Sequence, residues 1–146
     1  MIRRLILSLA ALAFSASAAE VLELSAIERE IDLERRSRLA LEYARARVDS
    51  IVEAYVEAEP ERAQEILADI VTAIEISQEA LAETGKHPRA KPKHFKRAEI
   101  ETRKLVRDLE GAKKKLTYDE RQDLDPTIAR IEEINQELLM GIMQKK

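Results

Sequence analysis

The sequence predicts an all-α protein, and two observations support that prediction. Only three Gly and four Pro interrupt 146 residues, and the dominant residues, Ala, Glu, Leu, Arg and Ile, are typical of helices that pack on one another. Apolar side chains then recur at steps of three and four residues, which is the spacing of a buried helical stripe. The length suits one domain, and the 45% of apolar residues suffices for one core.

Residues 1–19 differ from the rest of the chain and have the order of a secretory signal peptide. Arg3 and Arg4 give a positive start, residues 5–14 are almost all apolar, and residues 15–19 are small. The apolar run is shorter than the roughly 20 residues of a membrane-spanning helix, so cleavage is favoured over the alternative, an uncleaved N-terminal anchor.

The cleavage site follows from the small residues. An A-x-A pattern ends at Ala18 and a similar one at Ala19, which predicts cleavage before Ala19 or before Glu20. No cysteine follows, so lipid modification at the new N-terminus is excluded. We therefore expect an exported protein, periplasmic or secreted, with a single helical-bundle domain at residues 20–146 and no stable membrane span after processing.

The first predicted helix runs from about residue 20 to residue 57. Its second half has a regular packing seam formed by Leu41, Ala44, Val48, Ile51, Tyr55 and Ala58. In its first half the same step is kept by Leu24, Ile27 and Ile31. Glu34 and Arg38 then interrupt the apolar stripe.

The second and third predicted helices have clear boundaries. The second begins at Pro60, because proline suits a first helical turn, and ends at Thr84 and Gly85. Its buried stripe comprises Ala63, Ile66, Leu67, Ile70, Ile74, Ser77 and Leu81. The third follows Pro92 and includes Gly111, which weakens it by up to about 1 kcal/mol relative to Ala. Its stripe comprises Phe95, Ala98, Thr102, Leu105, Leu109, Ala112 and Leu116.

The fourth predicted helix begins with a capping box, in which Glu120 reaches back to Thr117. We predict one helix from Tyr118 with a bend at Pro126, and a fresh start capped by Asp125 is the alternative. Its stripe comprises Leu124, Ile128, Ile131, Asn135, Leu138 and Ile142.

Short turns between these helices predict an up-down-up-down four-helix bundle with an extra-long first helix. The first helix would span roughly 57 Å and the other three about 34 to 39 Å, so about 12 to 15 residues would overhang unless the helix breaks near residues 34–38. The apolar residues of the overhang that need cover are Leu22, Leu24, Ile27 and Ile31. A fold-back, a second copy in a homodimer and a flexible arm are open alternatives.

Residues 86–97, which we call the basic segment, concentrate positive charge in one place. Six of the twelve are Lys or Arg, both histidines are here, and no acid interrupts them. Cations at a helix N-terminus cost about 0.3–1 kcal/mol each, and a sequence that tolerates this cost is consistent with a segment that holds an anion. The residues predicted to contact a protein or an anionic partner are Lys86, Arg89, Lys91, Lys93, His94, Lys96 and Arg97.

Solvation, or neutralisation within the chain, is the other explanation of the basic segment, and the one that a run of like charges usually has. In the predicted bundle the segment lies at the same end as the start of the first helix, which carries the acids Glu20, Glu23, Glu28, Glu30 and Asp32. Nucleic acid is not a predicted partner, because the chain is predicted to be exported and the segment has a single aromatic residue, Phe95.

No recognisable catalytic apparatus is present in the sequence. The absence of cysteine excludes disulfides, thiolate nucleophiles and Cys-ligated metals. His87 and His94 lie seven residues apart without a metal-ligand motif, and neither a G-x-S-x-G elbow nor a Gly-rich phosphate loop occurs. The acidic residues at 119–125 do not have the spacing of a calcium loop. The sequence therefore predicts no enzyme, no catalytic residue, no metal site and no cofactor.

Two stretches resemble known proteins. Residues 84–109, which contain Thr-Gly-Lys-His-Pro-Arg and then Pro-Lys-His-Phe-Lys-Arg-Ala-Glu, resemble a group of small exported bacterial proteins of unknown function. That resemblance implies a helical fold and no biochemical role. Residues 116–120, Leu-Thr-Tyr-Asp-Glu, resemble the Leu-Thr-x-x-Gln motif of periplasmic stress chaperones of the Spy and CpxP type, although Glu120 replaces the Gln and only one copy occurs.

These observations lead to two hypotheses of function. The first is a non-enzymatic exported structural or interaction module of the cell envelope, with the basic segment as its contact surface. The alternative, which the weaker resemblance implies, is a periplasmic chaperone-like binder of unfolded or apolar clients that uses exposed apolar surface on the first helix.

The signal peptide gives a direct prediction for the protein recovered from the extracytoplasmic fraction. Its intact mass is expected to correspond to a chain that begins at Ala19 or Glu20, because the small residues end there. A mass that includes residue 1 would contradict cleavage and favour the uncleaved anchor.

Overall fold

The computed structural model describes residues 23–144, which form helices joined by short turns with no strand among them. The predicted all-α class is therefore confirmed. The helices are α1 (Leu24–Glu28), α2 (Leu33–Ala46), α3 (Val48–Val56), α4 (Pro60–Glu83), α5 (Lys93–Lys113) and α6 (Tyr118–Met143). The predicted signal peptide at residues 1–19 lies outside the described residues.

The first predicted helix is not continuous, which corrects the expectation of one extra-long helix. A turn at residues 29–32 separates α1 from α2. Asp32 has an extended backbone, and its carboxylate accepts a hydrogen bond from the backbone N–H of Arg35 at 3.0 Å, so it caps α2. The carboxylate of Glu30 accepts a hydrogen bond from the backbone N–H of Asp32 at 3.1 Å. Side chains of the turn therefore satisfy N–H groups that the interruption of the helix leaves without partners.

Helix α1 folds back onto the bundle. Ile27 is fully buried, Leu24 packs partly buried against the core, and α1 contacts both α2 and α4. Burial is the main cause that raises the pKa of the Tyr43 phenol, and the charge of Glu23 raises it slightly further. Of the three alternatives for covering this segment, the fold-back applies, and a second copy is not needed to bury Ile27. Ile31, which lies in the turn, is 90% exposed.

A second irregularity, at Arg47, separates α2 from α3. The residue keeps a helical φ of −96° with ψ of −10°, and its N–H bonds to the carbonyl of Ala44 at 3.2 Å. Its guanidinium carbon lies 4.1 Å from the centre of the Tyr43 ring, in a cation–π contact. Val48 and Ile51 are buried after the turn as Ala44 is before it, so the predicted seam continues across the irregularity.

Helices α2 and α4 pack in antiparallel directions. The hydroxyls of Ser37 and Ser77 lie 2.8 Å apart in the core, where each satisfies the other. Further along α2, the Tyr43 hydroxyl donates a hydrogen bond to the Asp69 carboxylate at 3.3 Å. As the residue number rises on α2, it falls on α4, which is the antiparallel pairing that the short connection predicts.

Helices α5 and α6 form the second antiparallel pair. The Asn135 amide donates hydrogen bonds to the Thr102 hydroxyl at 2.9 Å and to the Glu99 carbonyl at 2.8 Å. Nearer the turn between the helices, the Lys113 ammonium lies 2.7 Å from the Asp125 carboxylate. The polar Asn135 therefore occupies its predicted seam position because α5 supplies two acceptors.

The predicted stripes of the second and third helices are confirmed, since every member is buried. The other stripes are confirmed in most positions. Ile142 is only partly buried, and Ile134, which was not predicted, is part of the core. Ala58 is exposed, because the chain leaves α3 there, and Ala54 is buried instead.

Helix α6 begins at Tyr118 and continues through Pro126, so the alternative start at Pro126 is wrong. Both hydrogen bonds of the predicted capping box are present: the Thr117 hydroxyl accepts the N–H of Glu120, and the Glu120 carboxylate accepts the N–H of Thr117. The local signal at the start of this helix was therefore sufficient to place it.

The turn between α3 and α4 places an alanine in a left-handed conformation. Ala58 has a φ of 57° and is the only non-glycine residue with positive φ in the described range. Its N–H bonds to the Tyr55 carbonyl at 3.1 Å, and the N–H of Glu59 bonds to the Ala54 carbonyl at 2.8 Å, which is a Schellman motif. Glycine is the usual residue at this position because it has no Cβ to clash.

Substitution A58G is expected to raise the free energy of unfolding by about 1 kcal/mol, because glycine adopts positive φ without strain. Urea unfolding measures the change. The matched control is A129G, at an exposed position inside α6, which is expected to lower the free energy by about 0.5–1 kcal/mol. Equal losses at both positions would contradict the left-handed turn.

Candidate functional site

The basic segment consists of a compact turn followed by the first turn of α5. Gly85, with a φ of 67°, directs the chain out of α4, as its predicted position after the helix requires. The Lys91 N–H then bonds to the His87 carbonyl at 2.9 Å, and the Arg89 N–H bonds to Nδ1 of His87 at 3.2 Å. These local hydrogen bonds give the turn a defined backbone path before α5 begins.

Both ends of the turn are held by one carboxylate. The Lys86 ammonium donates a hydrogen bond to Oε1 of Glu34, and Nε2 of His94 lies 2.8 Å from Oε2 of the same side chain. We call this arrangement the Glu34 bridge. The hydrogen bond from Lys86 is the main cause that lowers the pKa of Glu34, burial opposes it, and the charge of His94 lowers the pKa further. The bridge joins the start of α2 to the turn and to the start of α5.

The turn also packs against the end of α6. A Cβ placed on Gly141 would lie 3.3 Å from Cγ of Pro88, so the proline ring lies directly against the helix backbone. The Arg89 guanidinium lies 3.5 Å from the carbonyl of Gln144. Phe95 is buried in the core, as predicted, and anchors the first turn of α5.

The acids that were predicted to neutralise the basic segment make other contacts. Glu30 pairs with an arginine of α2 at 3.3 Å, Asp32 caps α2, and Glu23 lies beside α2 because α1 folds back. Glu28 makes no ion pair among the described residues, and Glu20 lies outside them. Neutralisation by this set is therefore not observed in the described residues.

The acid that does contact the segment, Glu34, was missed as a site residue. In the sequence it stood out only as an interruption of the apolar stripe of the first helix. The interruption is explained by its position, because the side chain points to the basic segment and not into the core. The contact joins residues 52 positions apart in the chain, so no local spacing rule could have found it.

Most of the cations of the basic segment have no acidic partner within the part of the chain that the structure describes. One carboxylate cannot neutralise six cations, and both oxygens of Glu34 are already used. The residues with exposed cationic side chains and no carboxylate within 4.0 Å, among residues 23–144, are Arg89, Lys91, Lys93, Lys96 and Arg97. We call these five the unpaired cations.

At the start of α5 the helix dipole and the basic side chains contribute positive charge at the same place. This helix begins without a side-chain cap and without an acid in its first turn. The partial positive charge of a helix N-terminus therefore adds to the charge of Lys93 and Lys96. The structure brings together the predicted site residues of the segment on one end of the molecule, with Lys86 and His94 turned toward Glu34.

An open groove of about 460 Å³ borders Arg97, between α2 and α5. Its other charged side chains balance each other: Arg45 lies 2.8 Å from Glu101, and Arg38 lies 3.9 Å from Glu42. The groove is therefore an internally paired surface, and the unmatched charge lies at the end of the molecule.

At the opposite end of the molecule, acidic side chains bond to other groups of the protein. The Tyr55 hydroxyl donates a hydrogen bond to the Asp123 carboxylate at 2.7 Å, and burial followed by this contact raises the pKa of the Tyr55 phenol. Asp125 pairs with Lys113, and Glu120 serves the capping box. Capping, ion pairing and the hydrogen bond from Tyr55 thus account for three of the four acids at residues 119–125.

The described residues contain no candidate metal site. No three His, Asp or Glu side chains between residues 23 and 144 converge as metal ligands, and every buried polar side-chain atom there has a hydrogen-bond partner. None of the helices in this part of the chain is both long and apolar enough to cross a membrane.

Comparison of the chain with known proteins finds no matching family model, no matching curated protein and no matching solved structure. The fold and the site define the class of protein. Over residues 23–144 it is an all-helical protein with the unpaired cations gathered at one end.

Substitution E34Q is expected to lower the urea midpoint of unfolding at pH 7. The pKa of Glu34 is lowered in the folded protein, so its contribution to stability is present above the ordinary value of 4.5 and is lost as the pH falls below it. The gap between wild type and E34Q should therefore close in the acidic range. The matched control is E65Q, at an exposed position of α4 with no ion pair among the described residues. A gap that persists unchanged at acidic pH, or that E65Q reproduces, would contradict the role of the bridge.

Proposed function

We propose that this protein is an exported, non-enzymatic structural or interaction module of the cell envelope, and that the basic segment contacts an anionic partner. The observation that carries the proposal is the set of five unpaired cations on one short segment of a chain whose net charge is −3. Export depends on the predicted signal peptide at residues 1–19 and is part of the proposal.

The energetics of the segment favour an external partner. Like charges on one turn repel, and cations at a helix N-terminus cost about 0.3–1 kcal/mol each when exposed. An anion placed against them would reverse this cost and form charge-assisted hydrogen bonds. A chain that needed only solubility could distribute its cations among its many acids, as it does at the groove between α2 and α5.

The backbone of the basic segment is also held in a defined conformation. The Glu34 bridge holds both ends of the turn, and the Pro88 ring packs on Gly141. Because the backbone is ordered before a partner arrives, binding loses less conformational entropy than a flexible basic tail would. The cationic side chains remain exposed on this fixed backbone.

For the architecture we propose an up-down-up-down bundle of four rods, in which α2 and α3 together form the first rod. The antiparallel pairing of α2 with α4 and of α5 with α6 supports this description. Contacts between α4 and α6 and between α2 and α5 close the bundle. This arrangement places the basic segment, the start of α2 and the end of α6 at one end.

The chaperone-like alternative has less support. It depends on apolar surface exposed on the first helix, and Ile27 is buried while Leu24 packs against the core. Of the apolar residues predicted to need cover, Ile31 is the one that is largely exposed within the described residues. We therefore place the interaction surface at the basic end of the molecule.

The test is reversal of three unpaired cations in the full-length chain, K91E/K93E/K96E. Wild type is expected to sediment with the envelope fraction and to be released at about 1 M salt, where the screening length is about 3 Å. The variant should remain in the soluble fraction at low salt. Glutamate is favourable at a helix N-terminus, so the variant is expected to keep its fold, as circular dichroism can verify.

The matched control is R107E/K114E/K115E, which changes the charge by the same amount at exposed residues without ion pairs among the described residues. These positions lie on the far half of α5 and just after it. The control should associate with the envelope as wild type does. Equal envelope association of all three proteins would remove the basic segment from the function.

A further inference from the structure

A second unusual surface lies beside the basic segment, at the end of α6. Three large apolar side chains are exposed in its last two turns: Leu139 at 38%, Met140 at 59% and Met143 at 70%. They are separated by steps of one, three and four residues, so they lie on the outward part of the helix, away from the buried Leu138. An apolar patch therefore interrupts the polar face expected there.

Three contacts place this apolar patch next to the unpaired cations. Pro88 of the turn lies against Gly141, which is between the two methionines in sequence, and Arg89 reaches the carbonyl of Gln144. The bond from Asn135 to Thr102 fixes the antiparallel register of α5 and α6. In that register the last turns of α6 run beside the first turns of α5, where Lys93 and Lys96 lie. Cationic and apolar side chains therefore share one end of the molecule.

We infer that this end binds the surface of an anionic phospholipid bilayer. The inference rests on the proposed function and names the class of its partner. The unpaired cations would contact lipid phosphates, and Met140 and Met143 would enter the boundary between headgroups and acyl chains. Surface binding of this type grows with the apolar area buried and with the attraction between basic residues and anionic lipids.

The unpaired cations and the exposed methionines together favour a bilayer over other anionic partners. A soluble anion or an acidic polysaccharide would contact the cations and leave the methionines in water. A bilayer surface satisfies both parts, because its phosphate layer lies directly above an apolar layer. Methionine suits this use, since its unbranched and flexible side chain adapts to an irregular environment. The number of unpaired cations, five, is within the range of about four to eight that marks basic clusters recognising anionic lipid.

The test measures binding of the purified protein to sedimented vesicles. One set of vesicles is phosphatidylcholine alone, and the other contains equal parts of phosphatidylcholine and phosphatidylglycerol. All variants are expressed from the full-length chain, so that residues 1–22 are treated identically in each. Wild type is expected to bind the anionic vesicles and not the neutral ones.

Two variants separate the two parts of the surface. K91E/K93E/K96E should reduce the partition coefficient by at least about a hundredfold, since each lost cation removes about fivefold and the three new carboxylates are repelled by the anionic surface. M140S/M143S should reduce it about tenfold without changing the charge, because less apolar area is buried on binding. Both methionines are exposed, so this variant is expected to keep the fold.

The matched controls lie at the other end of the molecule. R107E/K114E/K115E repeats the charge change, and V56S/Y118S removes apolar side chains that are 78% and 75% exposed. Both controls should bind anionic vesicles as wild type does.

Three outcomes would overturn the inference. Vesicle binding that M140S/M143S leaves unchanged would show charge adsorption alone, and equal loss in the controls would show that the surface lies elsewhere. If wild type ignores anionic vesicles but its envelope association still depends on the basic segment, the partner is an acidic protein or polysaccharide. In that last case the lipid inference fails while the proposed function stands.

Discussion

The basic end of this molecule depends on one carboxylate. Glu34 uses one oxygen for Lys86 and the other for His94, and so joins the start of α2 to both ends of the turn between α4 and α5. Because both oxygens are occupied, the same carboxylate cannot neutralise the cations between and beyond them. The bridge therefore orders the backbone and leaves most of the charge unpaired, so the segment is a fixed cationic surface at the same end as the exposed methionines of α6.

Much of the fold could be predicted because its signals are local. The three-four spacing of apolar residues located the buried stripes of α4 and α5, since a helix repeats every 3.6 residues. The start of α6 followed from Thr117 and Glu120, three positions apart, and the end of α4 from Gly85. In each case the residues that determine the structure are neighbours in the sequence, and their spacing is sufficient.

The errors concern contacts between distant parts of the chain. The helix break at Asp32 is stabilised by the burial of Ile27 against other helices, which the periodicity of residues 20–57 does not reveal. The basic segment was recognised from its charge, but the acids nearest in the predicted bundle were the wrong ones. Helix α1 folds back against α2 and α4, and Glu34 at the start of α2 is the acid that reaches the segment. Only the three-dimensional arrangement decides which acid pairs with which cation.

The central claim is that the Glu34 bridge holds the basic segment in a fixed conformation, and amide hydrogen exchange tests it most directly. In the wild-type protein the Lys91 N–H, which bonds to the His87 carbonyl at 2.9 Å, should be protected from exchange. In E34Q that protection should fall, while the N–H of Leu105 in the middle of α5 should exchange as slowly as before. A Lys91 N–H that exchanges equally fast with and without the Glu34 carboxylate would contradict the account.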